Sequence, residues 1–241
     1  MKTPRKKVVI IGATSGIGRE LAKIYARQGF FVGVSGRRLE LLQSLQKEFP
    51  DHIVFECFDV TGNENIVHLR NLIEKLEGVD IIVYCSGYGE VSKELDWEIE
   101  KQTTAVNVNG FVEITSYAFN YLLNQQHGQI ACISSIASTR GNGHAPAYSA
   151  SKAYESIYME GLYLKARKLN RKISVTDIQP GFVNTSLAKG NKFWVAPVEK
   201  AASQIFEAIS RKRKRAYVTK RWWLIAVILT ILPTFVLRRI G

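Results

Sequence analysis

Cysteine is scarce in this chain: 241 residues contain three, Cys57, Cys85 and Cys132. They are odd in number and far apart, each lies in or beside an apolar run, and no CxxC pair occurs. A disulfide framework and a thiolate metal site are therefore not indicated. No metal is expected, and reduced thiols in a cytoplasmic protein are the simpler expectation. Gly/Ser/Pro-rich linkers, internal repeats and low-complexity segments are also missing, so one folded unit over 1–220 with a short tail over 221–241 is expected. Near the amino terminus the apolar run Val8 to Ile11 stops at Gly12, too soon for the core of a secretory signal. Acid is absent from 211–241, which holds nine Lys/Arg, while the other 210 residues carry 24 bases against 21 acids. The net charge of +12 thus belongs to the carboxyl-terminal end. No recognition module accompanies those bases, so nucleic acid is not an expected partner.

What is present is a regular alternation. Apolar runs of strand length occur at Lys7–Ile11, Phe30–Ser35, Ile53–Phe58, Val79–Tyr84, Gly128–Ser134, Ile173–Gln179 and Ala216–Thr219. Most are continuous rather than alternating, as strands buried on both faces of a parallel sheet are. Helical patterns separate them, at Ile17–Gln28, Leu39–Phe49, Glu64–Leu76, Trp97–Gln125, Ala147–Asn170 and Glu199–Ser210. The alternation predicts an α/β protein: a Rossmann-like, doubly wound, seven-stranded parallel sheet with helices on both faces and a C-terminal hydrophobic helical appendage. Ligands of such sheets bind outside the carboxyl ends of the strands.

The first such end reads Gly12-Ala13-Thr14-Ser15-Gly16-Ile17-Gly18 and runs into a helix. Missing side chains at Gly12, Gly16 and Gly18 let backbone amides approach a pyrophosphate, whose charge the helix N-terminus favours. Such loops also serve as plain tight turns; strand before and helix after point to a dinucleotide site. An NAD site would place an acid at the end of the second strand, and this chain has Val34-Ser35-Gly36-Arg37-Arg38. Two guanidiniums there suit the 2′-phosphate of NADP(H), although arginines also start solvated helices. Asp59, after the third strand, would accept from the adenine amino group or cap the next helix.

Tyr148-Ser149-Ala150-Ser151-Lys152 opens a long helical pattern, and the spacing of four puts Tyr148 and Lys152 on one face. An ammonium fixed beside a phenol favours the phenolate, which suits a proton donor and acceptor. Ser135 ends the fifth strand, where its hydroxyl could share a substrate oxygen with Tyr148. Singly, each has a plain reading: a half-buried aromatic, a solvated charge, a turn serine.

Together with Asn107-Val108-Asn109-Gly110, Ser134-Ser135 and Pro180-Gly181-Phe182-Val183-Asn184-Thr185, these motifs make residues 7 to about 220 resemble the short-chain dehydrogenase/reductase family. The resemblance implies a nicotinamide oxidoreductase. Tyr148 would be its general acid/base, Lys152 would hold the ribose and tune the phenol, Ser135 would orient the substrate carbonyl, and Asn107 would anchor a water linked to the lysine. It implies cofactor contacts from Gly12, Thr14, Ser15, Gly16, Ile17, Gly18, Arg37, Arg38, Asp59, Val60, Gly87, Tyr148, Lys152, Pro180, Gly181, Val183 and Thr185. A homo-oligomer, dimer or tetramer, is also implied. One departure stands out: Tyr84-Cys85-Ser86-Gly87 replaces the usual Asn-Asn-Ala-Gly, which removes the asparagine contacts that tie the central sheet together. The expected reaction interconverts a small carbonyl compound and an alcohol. Epimerisation or dehydration at the same site, and a membrane-surface regulator that only senses NADP(H), are the alternatives.

Residues 222–237 are the most hydrophobic stretch. As a helix they would reach about 24 Å, short of a ~30 Å hydrocarbon core, and Pro233 interrupts them. A span is therefore not expected. One reading lays the run in one leaflet, on the inner face of a membrane, with Trp222 and Trp223 at headgroup level and the bases of 211–241 on anionic lipid. The other packs it on protein, over the substrate pocket or a partner subunit. The membrane reading is preferred because charge and apolarity coincide in one segment, and it points to an apolar, lipid-like substrate. The segment between Thr185 and Pro197 is short for a substrate lid.

Overall fold

Along the first strand, β1 (Lys7–Ile11), alternate side chains leave on opposite faces, and both faces are apolar and buried. Val8 and Ile10 enter one core and Val9 and Ile11 a second. Only a sheet covered by helices on both sides satisfies such a strand. The computed structural model describes residues 5–185, 193–233 and 235–236, and builds that arrangement.

Seven strands, β1, β2 (Phe31–Gly36), β3 (Ile53–Cys57), β4 (Ile81–Tyr84), β5 (His127–Ile133), β6 (Lys172–Pro180) and β7 (Arg215–Val218), form one parallel sheet in the order β3-β2-β1-β4-β5-β6-β7. Helices α1 (Gly16–Arg27), α2 (Leu39–Glu48) and α7 (Val198–Ser210) cover one face, contributing Leu21, Leu42 and Ile205 to its core. Helices α3 (Asn65–Lys75), α5 (Phe111–Gln125) and α6 (Pro146–Lys168) cover the other with Leu72, Ile114 and Met159. The strand order reverses between β1 and β4, which opens a crevice at the carboxyl edge. The predicted doubly wound sheet is thus the observed one, with strand limits displaced by one or two residues.

One helical expectation needs correction. The pattern over Trp97–Gln125 is not a single α-helix: α4 (Trp97–Thr104) and α5 are joined by a π-helical turn, Ala105–Gly110. The wider turn holds Asn107 fully buried, where its side chain bonds Tyr88 and Ser151. Apolar spacing alone reads through such a turn, since the residues on either side stay helical.

The tail divides differently from the expectation. Helix α8 (Trp222–Ile231) follows β7, and it packs Trp222 and Ala226 on Ile136, with Phe182, Tyr217 and Ile225 around them. Arg140 fastens its far end, donating to the Leu229 carbonyl at 2.8 Å and to the Leu232 carbonyl at 2.5 Å. Trp222 is 2% exposed and so does not lie at a headgroup level; Trp223, at 52%, faces outward. The bases divide too. Arg211 to Arg215 lie at the amino end of β7, the opposite edge of the sheet from α8, where Arg211 pairs with Glu207, Lys214 with Glu160 and Arg215 with Asp177. Arg238 and Arg239 fall outside the described residues, as does most of the segment between Thr185 and Pro197. Among the described residues no helix is long and apolar enough to cross a membrane.

Gly18, in the first turn of α1, shows how tightly the helix sits on the strand. A Cβ there would collide with the Gly12 carbonyl oxygen and lie 3.2 Å from Ala13 Cα. Gly18→Ala is expected to lower stability by about 1–3 kcal/mol in urea unfolding; an unchanged midpoint would show that α1 can slide outward without cost.

Candidate active site

Every predicted site residue that the structure describes lies on the carboxyl edge of the sheet or on the segments that leave it. The loop after β1 reverses through Gly12 (φ +91°) and Gly16 (φ +56°), conformations that side-chain-bearing residues rarely adopt. A Cβ at Gly12 would sit 2.6 Å from the Ser86 nitrogen, and one at Gly16 would sit 3.2 Å from Thr185 Cγ2. The turn is thus a cradle walled by Ser86 and Thr185. The first turn of α1, which it feeds, carries no acidic side chain. Ile17 packs on the core below, leaving the amide end of the helix facing the cradle. These features fit the pyrophosphate of a dinucleotide.

The arginines gather beside that cradle. Arg38 Nη2 donates to Thr14 Oγ1 at 2.7 Å and to Ser15 Oγ at 2.8 Å, and Arg37 Nη1 reaches Asp59 Oδ2 at 3.3 Å. Both guanidiniums stay exposed, so they present charge to a ligand rather than to the core. Asp59 does not cap α3, whose N-cap is Glu64. It closes its own turn instead, accepting from Thr61 N at 3.0 Å and Thr61 Oγ1 at 2.9 Å. Partial burial works against its charge, but the Thr61 hydrogen bonds and Arg37 together hold the carboxyl below its usual range. Val60, next to it, is buried against Gly110 of the π turn.

At the other end of the crevice, α6 starts with Pro146 in its first turn and places Tyr148 and Lys152 one turn apart. Lys152 Nζ lies 6.0 Å from the centre of the Tyr148 ring, and the ring packs on Gly89. Ser135 follows β5 and caps a 3-10 turn, its Oγ accepting from Ala137 N at 3.1 Å. A Cβ at Gly87 would lie 3.4 Å from Lys152 Nζ and 3.8 Å from Asn107 Oδ1, so that glycine keeps the lysine approachable. Asn107 itself accepts from Tyr88 N at 2.8 Å and donates to Tyr88 O at 2.7 Å and Ser151 Oγ at 2.9 Å. Its side chain fastens the loop after β4 to α6.

The unusual Tyr84-Cys85-Ser86-Gly87 is accommodated by a different tie. Tyr84 is buried edge-on to Phe111, and its hydroxyl donates to the Val106 carbonyl at 2.8 Å. Cys85 continues the sheet through its amide, donating to Ile11 O at 2.8 Å, and burial pushes its thiol up to about 12. A phenol thus links strand to π turn where an asparagine was expected.

The segment after β6 roofs the crevice. Pro180 ends the strand, Gly181 N donates to Val218 O at 2.6 Å, and buried Val183 pairs with Ala196. Thr185 reaches the glycine loop, joining the two ends of the site. Trp222 of α8 lies flat against Gly181, so close that no Cβ fits there. Sequence reasoning missed two features, the Asp177–Ser134–Ser156–Gln179 network and Glu155, and for Trp222 it preferred the membrane to the pocket. Glu155 carried a readable signal, an acid three residues after Lys152 on the same helical face.

Comparison with known proteins bears on the family and the fold. Residues 6–195 match the family model for short chain dehydrogenase. An uncharacterised oxidoreductase of Myxococcus xanthus is 36% identical over 195 residues, which cover 78% of this chain and 76% of that protein. Another, from Staphylococcus saprophyticus, is 32% identical over 212 residues, covering 84% of this chain and 88% of that protein. Among solved structures, an actinorhodin polyketide ketoreductase variant with NADPH superposes with a TM-score of 0.80 at 22% identity, over 95% of this chain and 98% of that one. Motif order, site geometry and these matches agree: the chain belongs to the short-chain dehydrogenase family of oxidoreductases.

Proposed function

We propose that this protein is an NADP(H)-dependent oxidoreductase that interconverts a carbonyl group and an alcohol. The observation that carries the reading is the buried Lys152 ammonium beside Tyr148, at the same sheet edge as the glycine cradle and its arginines. Glycine cradle, Thr185 and Lys152 would hold the dinucleotide, and Arg37 and Arg38 would meet its 2′-phosphate. A nicotinamide held there would supply the hydride chemistry. The chain's own part is to orient the substrate oxygen with Ser135 Oγ and to deliver or take its proton at Tyr148 Oη, while the Lys152 charge favours the phenolate left behind. NADPH in one similar structure is consistent with this choice of cofactor.

The outer face of α8 favours a lipid-like substrate met at a membrane surface. Trp223, Leu224, Val227, Ile228 and Ile231 are exposed on it, and exposed Phe193 and Trp194 lie alongside. Arg221 stands 4.9 Å over the Trp194 ring, next to Lys220, and Arg238 and Arg239 follow in the sequence. An apolar face with Lys220 and Arg221 at its amino end is complementary to an anionic bilayer lying along the helix. This patch adjoins the roof of the crevice, so a docked enzyme would draw substrate from the bilayer.

Three outcomes are expected. Tyr148→Phe should abolish turnover of any reducible carbonyl while NADPH affinity stays within about threefold; a fully active variant refutes the role. Arg37→Ala with Arg38→Ala should weaken NADPH binding by about tenfold or more and leave NADH binding nearly unchanged. Equal losses for both would mean the arginines do not read the phosphate. Full-length protein should co-sediment with phosphatidylserine vesicles, less so in high salt, and Ile228→Glu with Ile231→Glu should end it. If that double variant instead splits an oligomer, with no vesicle binding in the parent, α8 is a protein contact and the lipid-like substrate goes with it.

A further inference from the structure

Lys152 is held from inside the protein. Its Nζ lies 3.0 Å from Glu155 Oε1, 2.9 Å from Glu155 Oε2 and 3.2 Å from the Ile133 carbonyl oxygen. The Glu155 side chain is 0% exposed and that of Lys152 4%. Cys132 Sγ donates to Glu155 Oε2 at 3.7 Å. An ionised carboxylate out of water is costly unless it is paired, and here the partner is the lysine of the acid/base couple. The chemistry proposed above does not use this carboxylate.

We propose that Glu155 is a positioning residue of the Tyr148–Lys152 couple: it keeps the buried ammonium charged and in place, and its own negative charge raises the pH at which the couple releases its next proton. The proposal rests on the reading of Tyr148 and Lys152 as that couple. The groups that face the pair are Tyr148 on the same helix, Cys132 of β5, Cys85 and Tyr84 at the end of β4, and Asp177 of β6. None of these is a second cation, and among the described residues Lys152 is the cation paired with Glu155. Burial disfavours the Lys152 ammonium, but Glu155 and then Tyr148 outweigh it and hold the lysine above its ordinary range. Burial pushes Glu155 above the carboxylate range, and Lys152 pulls against that rise.

The sign follows from the charge of the set. With Glu155 ionised, Glu155, Lys152 and neutral Tyr148 sum to zero, and losing a proton leaves a net negative charge in a dry site. With glutamine at 155 the set starts at plus one and becomes neutral on losing it. Neutralising a buried charge is easier than creating one, so the proton leaves at lower pH. In that variant the phenolate replaces Glu155 as the counter-charge that keeps Lys152 an ammonium, so the proton leaves the phenol and not the lysine.

The test titrates tyrosinate absorbance in full-length protein, with the Tyr148→Phe spectrum subtracted, so that no substrate is required. Glu155→Gln should move the Tyr148 signal down by about one pH unit or more, and Glu155→Asp, whose charge is retained but drawn back, should fall between it and the parent. Thermal unfolding run alongside separates loss of fold from loss of charge. If the Gln variant does not fold, the Asp variant decides: a signal below the parent supports the proposal and superposition overturns it. A Gln profile identical to the parent, or shifted upward, also overturns it. A parent protein that shows this titration yet turns over no carbonyl fails the functional reading, while the role of Glu155 in the couple stands.

Discussion

Burial of both sheet faces is the constraint on which the rest of this molecule depends. Strands such as β1 send alternate side chains into two separate apolar cores, which leaves the ends of those strands as the places where polar side chains can meet a ligand. Parallel strands then place all their carboxyl ends together, and the reversal of order between β1 and β4 leaves a gap there. The glycine turn, the arginines, Asp59, Gly87, Ser135 and the roof segment are six departures from one edge. Their convergence follows from topology, with no long-range pairing required among them.

This is why so much could be read from the chain. A strand buried on both sides is a continuous apolar run, a phosphate turn must lack side chains, and a helical pair must be four apart. Each of these is a local rule: Val8 to Ile11 obey the first, Gly12 the second, and Tyr148 with Lys152 the third. What escaped depends on contacts between distant segments. The π turn at Ala105–Gly110 keeps apolar spacing on either side while turning Asn107 inward. Tyr84 looked like the loss of a sheet contact, and only its bond to Val106 shows the replacement. In the tail, adjacency in sequence suggested one amphiphilic unit; β7, only four residues long, carries the chain from one edge of the sheet to the other and separates Arg211 to Arg215 from the apolar helix.

The interior beneath the crevice is unusually polar for so dry a region. Asp177 is held by Ser134, Ser156, Gln179 and Arg215, and Glu155 by Lys152 and Cys132. The first group reaches solvent through Arg215, whereas the second is sealed. Two carboxylates side by side under α6 thus have different access to water, and the sealed one belongs to the helix turn that bears Lys152. Buried polar groups are tolerated where every member finds a partner, and such satisfied networks hold their members to one arrangement.

The indole of Trp222 lying on Gly181 has a further consequence. The peptide it presses on is the one that leaves β6 for Val183 and Thr185, and the helix it starts is fastened at its other end by Arg140, from the loop between Ser135 and Tyr148. Helix, roof and the loop before α6 therefore form a closed mechanical circuit around the crevice. Ordering any one of them lowers the entropy cost of ordering the others, and linkage makes that effect reciprocal. A contact made on the outer face of α8 would therefore bear on whatever binds beneath the roof.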